Sequence, residues 1–364
     1  MSSDFANGIH MSNRDKTTTR HFGTLPTGET VEEYTLTNAH DVTLKFITYG
    51  GIINELHVPD RHGVKADVVL GFNELAGYLG AHPYFGAITG RVAGRITGGK
   101  FTLEGRKYEL LVNNPPNHLH GGALGFDKRL WKAQVVNGAG SMAGVKLTYR
   151  SPHGEEGYPG NVEVAVTYSL SDANEVVIQY EAVTDQATPL SLTNHSYFNL
   201  AGEGNGTIEH HRLQISSAEI ALTDNQMTLL GQRATVAGQA NDFNRPKPLA
   251  DALPHLLNSH GDNYLVAPTS GRSLRLVARL EDPASGRAME TLTTEDCLQL
   301  YTAAYMDTSL TGKSGRNYSR FGGLCLECQG YPDGVNHPEL GNIILRPGEV
   351  YRQSTIYRFP TPTS

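Results

Sequence analysis

From Thr30 onward, apolar and polar residues alternate in short runs. Val31-Glu32-Glu33-Tyr34-Thr35-Leu36, Val42-Thr43-Leu44-Lys45-Phe46-Ile47-Thr48 and Ile52-Ile53-Asn54-Glu55-Leu56-His57-Val58 each follow a period near two, the signature of strands with one buried face. Gly50-Gly51 and the Pro59-Asp60-Arg61-His62-Gly63 turn punctuate them, and a further strand is predicted through Asp67-Val68-Val69-Leu70. Similar runs bounded by Gly, Pro, Asn and Asp continue almost to Phe359, and 40 Gly with 18 Pro leave little room for long helices. The pattern predicts an all-β sandwich or barrel-like architecture and not a βαβ fold. No internal repeat or linker divides the chain. A single large domain is expected, preceded by a polar, aperiodic stretch, residues 1–22, expected as a flexible leader.

Composition narrows the partners. The 364 residues include 30 Lys+Arg and 37 Asp+Glu, a net charge of -7 without a dense basic block, so nucleic acid is not an expected partner. No apolar run reaches the length of a membrane-crossing helix, and the first twenty residues lack the apolar centre of a signal peptide. A cytoplasmic protein is expected. Three cysteines, Cys297, Cys325 and Cys328, argue against a disulfide framework. Cys325 and Cys328 form a CxxC with no second CxxC or pair of His nearby; zinc or redox use stays open beside the simpler reading of two packed thiols.

The richest stretch is Gly323-Leu324-Cys325-Leu326-Glu327-Cys328-Gln329-Gly330-Tyr331-Pro332-Asp333. In a strand, Cys325, Glu327 and Gln329 share one face while Leu324, Leu326 and Cys328 share the other. A carboxylate in an otherwise apolar strand either points to solvent, has a cationic partner, or faces a cavity that holds a ligand. In the last case desolvation lifts its pKa towards the range of a useful general acid or base. Four further stretches carry more chemistry than a turn requires. Gly90-Arg91-Val92-Ala93-Gly94-Arg95 offers two guanidinium groups suited to sugar hydroxyls or anions, or simply two surface charges. Asn117-His118-Leu119-His120-Gly121-Gly122 places two His on a loop stiffened by Pro115-Pro116, where a metal is conceivable but no third ligand is evident. Leu192-Thr193-Asn194-His195-Ser196-Tyr197 places His195 at a strand end, and His260-Gly261-Asp262-Asn263-Tyr264 places Asp262 on a glycine turn.

In their common order, the segments TYGGIINELHVPDRHGVKADVVLGF, YFGAITGRVAGRI, NHLHGG, SPHGEEGYPG, LTNHSYFNL, TGKSGRNY and LECQGYPDGVN resemble those of aldose 1-epimerases, also called galactose mutarotases. The resemblance runs from about Gly23 to Phe359. It implies a β-supersandwich domain over residues 23–360, a free sugar as substrate, and neither metal nor organic cofactor. It also implies Glu327 as general base, His195 as general acid, His120 as a second active-site histidine, and Arg95 and Asp262 near sugar hydroxyls; Gln329, on the face of Glu327, joins the expected sugar-binding residues. Mutarotation removes a proton from the anomeric hydroxyl and delivers one to the ring oxygen, and reclosure reverses both transfers. A carboxylate and an imidazole with pKa values near working pH meet that need. Three departures from the family pattern, Gly94, the shortened Gly261-Asp262-Asn263 turn and Gly330, are expected to open the sugar side of the site and shift the sugar preference.

Overall fold

The period-two pattern becomes burial on alternate sides. In Val162–Leu170, for example, Val162, Val164, Val166 and Tyr168 are buried while Glu163 is exposed. The computed structural model describes residues 17–137, 142–256, 261–266 and 273–361. Within them three antiparallel sheets carry the architecture. A nine-stranded sheet runs in spatial order from Lys132–Asn137 through Ala143–Ser151, Val162–Leu170, Glu175–Thr184, Tyr351–Arg358, Ala288–Thr293, Arg275–Glu281 and Arg212–Ile215 to Lys247–Pro248. A five-stranded sheet holds the N-terminal strands from Thr17–Thr24 to Lys65–Asp67. A second five-stranded sheet orders Leu229–Thr235, Glu219–Thr223, Asp262–Leu265, Cys297–Tyr301 and Cys325–Gln329. Four two-stranded pairings, one α-helix, Leu75–Leu79, and short 3-10 turns complete the described regular structure.

The three sheets share one core. Leu44 and Phe46 from the first, Val166 and Ile178 from the nine-stranded, and Leu298 and Leu326 from the third belong to a single buried cluster. Phe46 packs on Tyr168 at 4.8 Å between ring centroids, and the Tyr168 hydroxyl donates to the Gly51 carbonyl at 2.7 Å. Joining the sheets through shared apolar burial makes the described chain one domain.

Two expectations are corrected by this arrangement. The stretch expected as a leader, 1–22, contains part of a strand: Thr17–Thr24 pairs with Thr30–Thr37, and Arg20 meets the buried carboxylate of Glu33. Ladder hydrogen bonds and a charge pair hold this strand, so its polar sequence gave no apolar period. Residues 1–16 lie outside the described residues. The strand expected over 67–70 is instead Lys65–Asp67, after which Val69 bridges Phe198 and the Leu70 N–H donates to the Tyr197 carbonyl at 3.0 Å.

Arg91 also differs from the expectation of a surface or ligand-binding cation. It is 2% exposed. Its guanidinium donates to Ser151 Oγ at 2.8 Å and to the carbonyls of Ser151 (3.0 Å), Pro152 (2.8 Å) and Pro159 (2.8 Å), tying down the loop between two central strands. A lysine cannot reproduce that fork. Arg91→Lys is expected to destabilise the fold by about 1–3 kcal/mol for each carbonyl left unpaired. A chemical denaturation midpoint unchanged from the wild type would refute the assignment.

Candidate active site

Glu327 stands in a strand whose five residues, Cys325–Gln329, are all buried. That strand is the last in its sheet, and its partner Cys297–Tyr301 sets Gln299 directly opposite Glu327. Its free side is covered by the segment carrying His195. Phe198 pairs with Leu324, and Thr193–Asn194 pairs with Ile88–Thr89. The backbone of His195 is fixed on both sides, with its N–H on the Ala87 carbonyl at 2.9 Å and its carbonyl accepting from Gly86 N–H at 3.0 Å. The result brings His195 Nε2 to 3.7 Å from Glu327 Oε2.

His120 arrives from a loop bent by three successive positive φ values, 49° at His120, 87° at Gly121 and 109° at Gly122. Gly121 is required there, because a Cβ would lie 1.7 Å from the Gly90 carbonyl oxygen. The Gly94 N–H donates to His120 Nδ1 at 3.1 Å, and the His120 N–H donates to the Gly94 carbonyl at 3.0 Å. With Nδ1 accepting, the neutral imidazole carries its proton on Nε2. His118, the other His of the HxH, turns away to Tyr158 Oη (2.8 Å) and the Leu111 carbonyl (2.6 Å).

These groups line a cavity of about 410 Å³ together with Tyr84, Arg95 and Gln299. Tyr84 has φ 59°, an unusual conformation for a bulky residue, and its ring lies 4.7 Å from that of His120 and 5.8 Å from that of His195. Arg95 is 6% exposed, and its Nε donates to Asn114 Oδ1 at 3.1 Å. Burial pushes the Glu327 carboxyl up to about 8, with the Arg95 charge pulling the other way. Burial pushes His195 down to about 4 and His120 well below the usual imidazole value. The Glu327–His195 pair therefore holds one proton across the neutral range, and desolvation places it on the carboxyl. One Glu327 oxygen, Oε2, is buried without a hydrogen-bond partner. His120, His195 and Glu327 each offer an atom within 4.8 Å of the others, a spacing that a metal ion could use. The Gly94 N–H on His120 and the Arg95 charge beside Glu327 favour an acid/base set over a ligand set.

Asp262 and Gln329 stand elsewhere than expected. Asp262 is not on the cavity wall; its carboxylate accepts from Asn241 Nδ2 at 2.9 Å. The strand places Asn263, not Asp262, opposite Gln299, and Asn263 with Gly261 lines a small cleft behind Arg95. Residue 260 of that stretch lies outside the described residues. Gln329 is fully buried one layer back and donates to Gln299 at 3.3 Å. Gln299, Tyr84, Tyr197 and Asn114 were missed by sequence reasoning. The alternation in Cys297–Tyr301 could have drawn attention to Gln299, but its register opposite Glu327 is a tertiary fact.

The expected opening on the sugar side is also corrected. A Cβ on Gly94 would meet Pro332 Cβ at 2.7 Å, and one on Gly330 would meet Ile343 Cγ2 at 2.7 Å beside a different cavity. The cleft bordered by Gly94, Gly261 and Asn263 holds only about 10 Å³. Neighbouring side chains occupy the space that the small residues leave. The CxxC pair is split, since positions three apart in a strand face opposite sides. Cys325 turns to His195, with Sγ 3.5 Å from Nδ1, whereas Cys328 hydrogen-bonds towards Thr293 and Thr355.

A model of the aldose 1-epimerase family matches residues 32–358. The chain is 43% identical to galactose mutarotase of Homo sapiens over 93% of this chain and 97% of the relative. It is 30% identical to aldose 1-epimerase of Escherichia coli K12 over 92% and 96%. Among solved structures, galactose 1-epimerase from Lactobacillus acidophilus superposes with a TM-score of 0.81 at 26% identity, covering 94% of this chain and 98% of that one.

The Glu327 shift has a consequence for stability. Its folded pKa, about 8, exceeds the ordinary 4.5, so its contribution is fully present below pH 4.5 and is lost as pH rises through about 8. Glu327→Gln has no such ionisation. Its melting temperature is expected to rise relative to the wild type as pH goes from 5 to 8.5 (about 5 kcal/mol at most for a fully desolvated carboxylate), and a pH-independent difference would refute the buried, protonated carboxyl.

Proposed function

The chain belongs to the aldose 1-epimerase family, isomerases that interconvert aldose anomers, and we propose that it does so on free galactose and related aldoses through Glu327 and His195. The observation that carries this reading is the 3.7 Å approach of two buried groups, a carboxyl and an imidazole, beside a sugar-sized cavity. Ring opening needs one group to take the anomeric hydroxyl proton while the other protonates the ring oxygen. Moving the shared proton from Glu327 to His195 creates that state, carboxylate and imidazolium, and the Arg95 charge eases formation of the carboxylate. Rotation about C1–C2 and reclosure then return both protons. The substrate is unchanged in composition, and the pair ends as it began.

His120 takes a different part. Neutral and fixed with Nε2–H as donor, it is suited to hold a hydroxyl or the charge developing on the ring oxygen. Arg95 and Gln299 supply further sugar contacts from the wall. Asp262 takes no part in this reading, and Gln329 acts only through Gln299. A phosphorylated hexose would need several cations, and Arg95 is the one Arg or Lys on the cavity wall among the described residues, which favours free sugars. Three buried, unpaired cysteines support a reducing, cytoplasmic setting.

Glu327→Gln and His195→Asn are each expected to lower kcat/KM for galactose about 100- to 10,000-fold while retaining a folded spectrum. Polarimetry on freshly dissolved sugar reads this directly, and losses below about tenfold in both variants would overturn the roles.

The pair also sets the pH profile. It holds a single proton between the His195 value, about 4, and the Glu327 value, about 8. A bell-shaped kcat/KM with limbs near those values is expected after subtraction of the uncatalysed rate, the limbs belonging to the pair. A flat profile from pH 3.5 to 9 would contradict a shared-proton mechanism.

A further inference from the structure

His195 must be held in one orientation and yet be free to gain and lose a proton. Its ring is flanked by Tyr84 at 5.8 Å and 29° and by Tyr197 at 5.1 Å and 30°, both close to face-on, while Nε2 faces Glu327. Beside Nδ1 stands Cys325, whose sulfur also hydrogen-bonds with the Tyr197 hydroxyl. The residue's own carbonyl, which also receives the Gly86 N–H, is a further acceptor for the ring.

Resting on the acid/base reading of His195 above, we propose that Cys325 is the positioning residue for that imidazole, a thiol partner that serves both its protonation states. A thiol is a weak donor and a weak acceptor. Towards the neutral ring, S–H donates to Nδ1 and keeps the proton on Nε2, pointing at Glu327 and the substrate. Towards the imidazolium, the sulfur accepts Nδ1–H and the thiol proton turns aside. A carboxylate in this place would only accept, would hold the ring charged, and would oppose half of every turnover. Burial keeps Cys325 a thiol, since its pKa is pushed far above the ordinary value. The strand makes the placement possible: Cys325 and Glu327 lie two apart on one face and address the two nitrogens of one ring.

The test compares Cys325→Ala, Cys325→Ser and, as a control from the opposite face of the same strand, Cys328→Ser. The ionisable groups around His195, namely Glu327, His120, His82, Tyr84 and Tyr197, are present in all three, so a change confined to position 325 reports the thiol. Cys325→Ala is expected to lower kcat for galactose about threefold to tenfold, the loss of one neutral hydrogen bond, with KM little changed. It should also shift the acidic limb of the pH profile and the imidazole ¹⁵N resonances of His195 that report its tautomer. Cys325→Ser should recover part of the activity with an intermediate tautomer signature, and Cys328→Ser should leave limb and resonances as in the wild type. An acidic limb and ¹⁵N signature unchanged in Cys325→Ala would overturn the proposal whatever the activity; if Ala does not fold, the same unchanged signature in Ser overturns it. Full activity in His195→Asn would instead remove the acid/base reading on which the proposal rests, whereas an inactive His195→Asn beside unaffected Cys325 variants would remove the proposal alone.

Discussion

A carboxylate buried in an apolar strand is the constraint around which the site is built. Glu327 is 2% exposed, and its pKa is governed first by desolvation and only then by the Arg95 charge. His195 is desolvated as well, in the opposite direction. Each charge is costly alone, so the favoured state has one proton on the pair, held by the carboxyl, and the desolvation that protonates the acid also keeps the imidazole neutral. The neighbouring elements hold that pair at short range: one strand carries Glu327, and the segment beside it is fixed through Ala87, Gly86 and Leu324.

Local strain follows from the same need. Tyr84 and His120, both non-glycine residues at positive φ, sit with their rings 4.7 Å apart against His195. Such conformations persist where the surroundings over-determine them, here through the paired Gly94–His120 hydrogen bonds and the Lys128 ammonium 5.4 Å from the Tyr84 ring. Lys128 is in turn paired with buried Asp127 at 2.7 Å. The chain of contacts runs from the half-exposed Lys128 and its buried partner Asp127 through the Tyr84 ring to both histidine rings.

Fold class was readable because alternation over many short runs leaves only sandwich-like solutions, and the Glu327 strand was readable because a carboxylate among Leu and Cys contradicts its own period. Glu327, His195, His120 and Arg95 meet at one cavity. What sequence could not show was direction at turns. Asp262 and Asn263 are both polar and adjacent, and only the pairing of Asn263 with Gln299 decides which faces inward. Arg91 and Arg95 look alike four residues apart, yet one is spent on three carbonyls and the other lines the cavity. Gly94 and Gly330 suggested space because a missing side chain reads as room, whereas Pro332 and Ile343 fill it from distant positions.

Arg95 shows how finely the charge balance must be set. A direct ion pair would hold Glu327 ionised through the whole neutral range and remove its ability to return a proton. No ion pair within 4 Å joins the two among the described residues; Asn114 holds the guanidinium through Nε instead. At that remove the positive charge lowers the carboxyl pKa without overcoming desolvation, leaving it about 8. In the proposed transfer of a proton to His195, the carboxylate would thereby be accessible and still basic enough to recover a proton. A cation placed nearer would give a more stable site and a poorer acid.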